Sequence, residues 1–168
     1  MTAYRFEPLT RNHNRAGFQC GAAVLDRYLR DFARKDAERG VAAPYVMVEE
    51  AAPNVIVGYY TLSAFVVALS ELPPKLASKM PRYQDLPAIL IGRLARSIEF
   101  KGRGVGELLL VDALKRALVH SKQIAAMAVV ADAKDDAALA FYLRFGFARL
   151  GDSASRVFIP MGTIEKLG

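Results

Sequence analysis

The sequence predicts a mixed α/β domain, α+β in arrangement, with helices on both faces of one sheet. Three observations carry this. Strand-like apolar runs and segments of helical periodicity follow one another in the order β-α-(α)-β-β-loop-β-α-β-α-β-β. A glycine-rich turn, Phe100-Lys101-Gly102-Arg103-Gly104-Val105-Gly106, stands between an apolar run and a helical stretch. The 168 residues, 53% apolar and 24% charged, suit one domain with a sizeable core, spanning 1–168.

Tyr4 to Leu9 reads as a first strand ended by Pro8, and a polar connector runs from Thr10 to Gly17. From Ala22 to Arg39 the pattern is helical. Leu25, Tyr28, Leu29 and Phe32 form an apolar stripe, Asp26/Arg30 and Asp31/Lys35 are expected i,i+4 pairs, and Gly40 ends the helix. Tyr45 to Glu49 and Ile56 to Ser63 are rich in β-branched and aromatic residues around the turn at Glu50 to Asn54, which predicts a hairpin continuing through Val67. Ser70 to Pro87 holds four prolines, which forbid a regular strand or long helix but allow a helical turn near Lys75 to Ser78. Long ordered loops of this kind are often functional.

Ala88 to Ile98 is the next strand, followed by the glycine turn and a long helix reaching about Ser121. Ile124 to Val130 shows little alternation and reads as a strand buried on both faces. A helix follows over Ala137 to Arg144, with Gly146 as its C-terminal cap. Phe147 to Leu150 and Arg156 to Ile159 close the chain as a hairpin.

No run approaches the length needed for a membrane-spanning helix, and the opening residues do not read as a signal peptide. A lone cysteine, Cys20, excludes an internal disulfide and fits a reducing cytoplasm. His13, Cys20 and His120 are scattered and do not make a metal site. The formal charge of +6 and a pI near 9.6 make an anionic partner plausible: a phosphate-bearing cofactor, nucleic acid or an acidic protein.

The glycine turn is where such an anion would sit. A strand, a glycine turn and a helix start gather unpaired backbone N–H groups and the positive end of the helix dipole at one point. Glycine lets a phosphate approach the backbone closely, and Lys101 and Arg103 add charge. The spacing is neither that of a P-loop nor that of a Gly-x-Gly-x-x-Gly dinucleotide turn. A tight turn without a ligand satisfies the stretch equally well.

A second motif resolves this ambiguity. Lys101-Gly-Arg-Gly104-Val-Gly106 together with Asp135, Ala138, Phe141, Tyr142, Gly146 and Phe147 resembles the GNAT superfamily of acyl-CoA-dependent N-acetyltransferases. Lys101 and Asp135 depart from the family's usual Gln/Arg and Asn. The resemblance covers essentially the whole chain. It implies a GNAT fold, with a central, mostly antiparallel sheet splayed between its fourth and fifth strands, and acetyl-CoA as the cofactor. Leu94, Ala95 and Arg96 would pair with the pantetheine arm. Lys101, Gly102, Arg103, Gly104, Val105 and Gly106 would hold the pyrophosphate, with Asp135 also on the cofactor. Tyr142 would be the catalytic general acid that protonates the leaving thiolate.

A narrower likeness rests on Phe18-x-Cys-Gly-x-x-x-Leu25-Asp26-x-Tyr28-Leu29, Gly58-Tyr59-Tyr60-Thr-Leu62-Ser63, Gly92-Arg93-Leu94-Ala95 and Asp132-Ala133-Lys134-Asp135. These look like the aminoacyl-tRNA-acetylating toxins of type II toxin–antitoxin systems. That likeness implies an aminoacyl-tRNA substrate, a ribbon-helix-helix antitoxin and a homodimer. Lys79, Arg82 and Arg93, with Arg34 and Arg39, are the candidates for contacting RNA. Arg93 fits a structural pairing as well as a substrate contact. An acetyltransferase acting on a small amine, a protein N-terminus or lysine is the alternative, and a non-catalytic binding module of the same fold is the third.

Overall fold

Strands β1 (Tyr4–Pro8), β2 (Ala43–Glu49), β3 (Gly58–Ala68), β4 (Asp85–Arg96), β5 (Ala128–Asp132), β6 (Ala148–Arg149) and β7 (Arg156–Pro160) are hydrogen-bonded in the order β1-β2-β3-β4-β5-β7-β6. This is seen in a computed structural model, which describes residues 3–167. The sheet is mostly antiparallel, with β4 and β5 as the parallel pair. Helices α1 (Ala23–Asp31), α2 (Ala33–Glu38), α3 (Pro74–Ala77), α4 (Val105–Ser121), α5 (Asp136–Arg144) and α6 (Met161–Leu167) complete the chain. The described residues fall into two compact units, 3–63 with 92–113 and 64–91 with 114–167. The long strands β3 and β4 and helix α4 contribute residues to both.

In the first unit, β1 and β2 pair from Tyr4↔Glu49 to Pro8↔Tyr45, and β2 pairs with β3 from Ala43↔Leu62 to Met47↔Gly58. The predicted hairpin is therefore present. Its core packs Phe18, Tyr28, Leu29, Ala33, Val46, Val48, Ile56, Tyr59 and Ala95 together. Burying a side chain such as Leu29 contributes on the order of 1.5–3 kcal/mol. That matters for α1, because its N-cap residue Ala22 has no side-chain oxygen to hold a free N–H.

The predicted helix from Ala22 to Arg39 is two helices, broken at Phe32 (φ −122°, ψ −31°). The i−4 bonds on either side survive, from Phe32 N–H to Tyr28 and from Asp36 N–H to Phe32, so the break is a local kink. The expected ion pairs are also replaced. Arg27 meets Asp31 at 3.8 Å and Arg34 meets Glu38 at 3.5 Å, while Asp26 accepts the Cys20 N–H at 2.9 Å. Gly40, at φ +70°, ends α2 as expected.

In the second unit, Val67, Leu72, Leu86, Ala88, Ala128, Val130, Leu150 and Phe158 form a core of their own. β4 and β5 are in parallel register over Ile89–Ile91 and Val129–Ala131. β5 then pairs with β7 from Ala128↔Pro160 to Asp132↔Arg156, and β6 flanks β7.

Three sequence expectations are corrected here. β5 begins at Ala128, not Ile124, because Ile124 is 82% exposed and its N–H still bonds back to His120. β4 begins earlier than expected and includes Pro87. A proline lacks only its N–H, and the Pro87 carbonyl still accepts the Met127 N–H at 2.8 Å. The last element, α6, was not expected, since its apolar signal is limited to Met161 and Ile164.

Candidate functional site

The glycine turn lies in the first unit. A short 3-10 turn, Ile98–Phe100, follows β4, and α4 starts at Val105, whose side chain is fully buried. Gly102 (φ +81°) and Gly104 (φ +72°) hold left-handed backbone, which a residue with a Cβ adopts only at a cost. Apart from each glycine and its two chain neighbours, no atom of the described residues lies within 4 Å of where a Cβ would stand at either position. The glycines are therefore required by conformation, and the space over the turn is open.

Leu108 N–H makes the first α4 bond, to Gly104 at 3.1 Å, so the amides of Val105, Gly106 and Glu107 have no partner within the helix. Lys101 and Arg103 are exposed beside them, with the Arg103 guanidinium 4.9 Å from the Phe100 ring centroid. Open glycines, unspent amides and two cations fit a pyrophosphate.

The same unit holds Leu94, Ala95 and Arg96 at the end of β4, beyond the residues registered with β5. Ala95 is buried in the aromatic core, and its carbonyl lies 3.0 Å from where a Cβ on Gly58 would stand. A glycine at 58 is what lets β3 begin so close to β4. Ser97 N–H then bonds Val57 and Ile98 N–H bonds Gln19, which fixes the exit into the glycine turn. Arg96 Nη1 is buried without a hydrogen-bond partner among the described residues.

In the second unit, Tyr142 sits in α5 and is 5% exposed. The helix begins at Asp135, whose carboxylate accepts the Ala138 N–H at 2.8 Å. Asp135, expected on the cofactor, is thus the N-cap. At the other end Phe147 N–H bonds the Tyr142 carbonyl at 3.1 Å and Gly146 N–H bonds that of Leu143 at 3.2 Å, with Gly146 at φ +109°. This is a Schellman turn, completed by contact between the Tyr142 and Phe147 rings.

Among the described residues the Tyr142 hydroxyl makes no hydrogen bond. Burial first, and the Asp132 carboxylate second, hold its pKa well above the usual phenol range. Asp132 is itself gripped by Arg156 at 2.8 and 3.2 Å. The result is a protonated, unbonded O–H on a largely buried side chain, which is the form a general acid needs.

The other candidates are distributed. Lys79 and Arg82 are exposed on the loop of the second unit, beside the exposed Tyr83. Leu76 and Met80 pack on that unit's core, and Leu69 N–H bonds Gln84, so the loop is tied at its base. Arg93, in the first unit, lies over the Tyr28 ring with Cζ 3.5 Å from the centroid. Sequence reasoning missed this stack. An arginine in an apolar strand is its only advance sign, and nothing in the spacing names Tyr28 as the partner.

A family model described as the acetyltransferase (GNAT) family matches residues 9–147, which include the glycine turn and Tyr142. The chain belongs to that family. Two relatives agree with it. "Probable toxin TacT" of Sinorhizobium fredii is 31% identical over 96% of this chain and 93% of its own length. The "tRNA-acetylating toxin" of Mycobacterium tuberculosis is 34% identical over 77% of this chain and 75% of its own length. A crystal structure of a tyrosine-to-phenylalanine variant of KacT superposes with a TM-score of 0.92 at 29% identity, covering 98% of this chain and 99% of that one. AtaT complexed with acetyl-methionyl-tRNAfMet gives 0.91 at 25% identity, with the same coverage.

As a GNAT acetyltransferase, the chain carries both motifs on the elements that the resemblance implied. The glycine turn caps α4, and Tyr142 stands before the Gly146-Phe147 turn.

Proposed function

We propose that this chain, as one domain over residues 1–168, moves the acetyl group of acetyl-CoA onto the α-amino group of an aminoacyl-tRNA, acting as the translation-blocking toxin of a toxin–antitoxin pair. The observation that carries the reading is the unbonded hydroxyl of the largely buried Tyr142, in a chain 31% and 34% identical to proteins named as toxins, one of them tRNA-acetylating. AtaT, solved with acetyl-methionyl-tRNAfMet, and AtaTR, solved with AcCoA, support the same substrates. KacT and AtaT have each been solved as tyrosine-to-phenylalanine variants, which accords with a working tyrosine.

The bound thioester supplies an activated acetyl carbon and a thiolate leaving group. The neutral amine nitrogen forms its bond to that carbon as the carbon–sulfur bond breaks. Tyr142 Oη gives its proton to the sulfur, and the amine loses its own to water. The amides of Gly102 to Gly106, with Lys101 and Arg103, hold the pyrophosphate. The backbone of Leu94, Ala95 and Arg96 lies along the pantetheine. Asp135 acts on the cofactor side through the helix start that it caps. Lys79, Arg82 and Arg93 are assigned to RNA, in keeping with the +6 charge.

The partners follow from the same likeness: a ribbon-helix-helix antitoxin and a second copy of this chain, in the cytoplasm. AtaT solved with the C-terminus of the antitoxin AtaR speaks for an antitoxin partner of some kind. No helix among the described residues is long and apolar enough to cross a membrane.

The test uses labelled acetyl-CoA with a pool of aminoacylated tRNA, uncharged tRNA and a panel of free amines. Label in charged tRNA alone is the expected result. Label in free amines and never in tRNA would replace this acceptor by a small amine.

A further inference from the structure

Among the described residues, Arg96 Nη1 is the one buried side-chain nitrogen or oxygen that meets no hydrogen-bond partner. No carboxylate of those residues forms an ion pair with Arg96, and Glu99, the nearest in sequence, is exposed. A native fold seldom leaves such a group unmet, and a guanidinium keeps its charge when buried. We infer that the Arg96 guanidinium binds a phosphate oxygen of the CoA pyrophosphate, so that its side chain as well as its backbone serves the cofactor. The inference rests on the cofactor placement proposed above and adds to it a residue outside the glycine turn.

The backbone between Arg96 and that turn is fixed. Ser97 N–H bonds the Val57 carbonyl at 2.8 Å, Ile98 N–H bonds that of Gln19 at 2.9 Å, and Phe100 N–H bonds that of Ser97 at 3.0 Å. Ser97 Oγ accepts the Glu99 N–H at 3.3 Å, and Phe100 is buried. A single 3-10 turn, Ile98–Phe100, thus separates Arg96 from Lys101. Arg96 as a whole is only half-buried, so a ligand arriving from solvent has access to it.

A buried guanidinium is compensated by an anion, whereas a neutral carbonyl leaves its charge unmet. The pantetheine arm, set along the backbone of Leu94 to Arg96, offers only amide and hydroxyl groups. The pyrophosphate is the anion of CoA joined directly to that arm, and its oxygens match the planar donor fork of arginine. The ribose 3′-phosphate is the other anion and lies further along the molecule. Lys101 and Arg103 are exposed and meet the pyrophosphate in screened surroundings. Arg96 adds a covered donor, where screening by salt is weakest.

The experiment uses the full chain and CoA itself, which binds without turnover. Affinity is measured by calorimetry for wild type, Arg96→Gln and Arg96→Lys. Phosphorus NMR of each complex at saturating CoA separates the pyrophosphate resonances from that of the ribose 3′-phosphate. The expected result is a loss of about tenfold or more in CoA affinity for Arg96→Gln, with partial recovery in Arg96→Lys. The pyrophosphate resonances should move relative to the wild-type complex and the 3′-phosphate resonance should not. Without CoA, Arg96→Gln should melt no lower than wild type, because Nη1 meets no protein acceptor. CoA affinity equal to wild type in Arg96→Gln overturns the inference. So does a moved 3′-phosphate resonance beside unmoved pyrophosphate, which assigns the arginine to the other anion. A lower melting temperature with all phosphorus resonances unmoved marks a structural arginine and overturns it as well. Weaker CoA binding in Gly104→Ala beside unaffected Arg96 variants keeps the pyrophosphate at the turn and overturns the role of Arg96 alone. Wild type that binds no CoA overturns the cofactor placement and the inference together.

Discussion

The Tyr142 and Phe147 rings lie 5.1 Å apart, held there because the Phe147 N–H bonds the Tyr142 carbonyl across the left-handed Gly146. The Tyr-x-x-x-Gly-Phe spacing therefore has a local physical meaning. The turn that ends α5 also clamps the ring of the proposed general acid. Gly146→Ala places a Cβ in left-handed backbone, at a cost of roughly 1–2 kcal/mol. The expected result is a Tm lower by about 2–8 °C in a thermal melt. Turnover should fall with it, and an unchanged Tm and kcat would separate the turn from the site.

Tyr142→Phe removes the proton and keeps the ring contacts. Turnover should drop by about 100- to 10,000-fold, the range for a general acid. Acetyl-CoA affinity by calorimetry should be unchanged. Turnover like wild type would take Tyr142 out of the mechanism.

The raised pKa of Tyr142 has two consequences for pH. Because the acid must be protonated, kcat should show no alkaline fall from this group at or below a pH of about 10, the ordinary phenol value. Tyr28 and Tyr59 are also shifted up, chiefly by burial. A folded-state pKa above the unfolded one means that the stabilisation is complete below the unfolded pKa and is lost as pH rises towards the folded one. The Tm should therefore decline above about pH 10, together with the appearance of tyrosinate absorbance. Titration of Tyr28, Tyr59 or Tyr142 at the ordinary phenol value with the fold intact would contradict this burial.

Gly104 carries a positive φ with open space above it, so Gly104→Ala introduces strain without a clash. A penalty of about 1 kcal/mol or more in the loop conformation should appear as a raised KM for acetyl-CoA, with kcat at saturation largely kept. A KM identical to wild type would argue against pyrophosphate at this turn.

Asp135 caps α5, and Asp135→Ala should cost about 1 kcal/mol in a denaturant titration, with Asp135→Ser restoring most of it. A rise in acetyl-CoA KM in Asp135→Ala, reversed in Asp135→Ser, would show that it serves the cofactor through the cap. If KM rises in both, the carboxylate itself is needed there.

Much of the fold and half of the site were legible because they rest on short-range rules. The β2–β3 hairpin, the cap at Gly146 and the glycine turn before Val105 each depend on residues a few positions apart. Errors fell where a distant partner decides. The apolar Ile124 looked like the start of β5, but a strand begins where a neighbour can bond it, and here that is Ala128 opposite Pro160. Pro87 looked like a strand breaker, yet its carbonyl reaches Met127.

Arg93 divides the two kinds of information most clearly. Its place in an apolar strand marked it as unusual, and the sequence could go no further. By itself the sequence determined the element order as far as β7, the two motifs and the family, since these are written in local spacing and residue type. Only the tertiary structure decided that Arg93 lies on Tyr28, that Asp132 is gripped by Arg156 and that Tyr142 is largely buried with its hydroxyl unbonded. Those are contacts between residues far apart in the chain, and their energy depends on burial and distance, which no spacing rule contains.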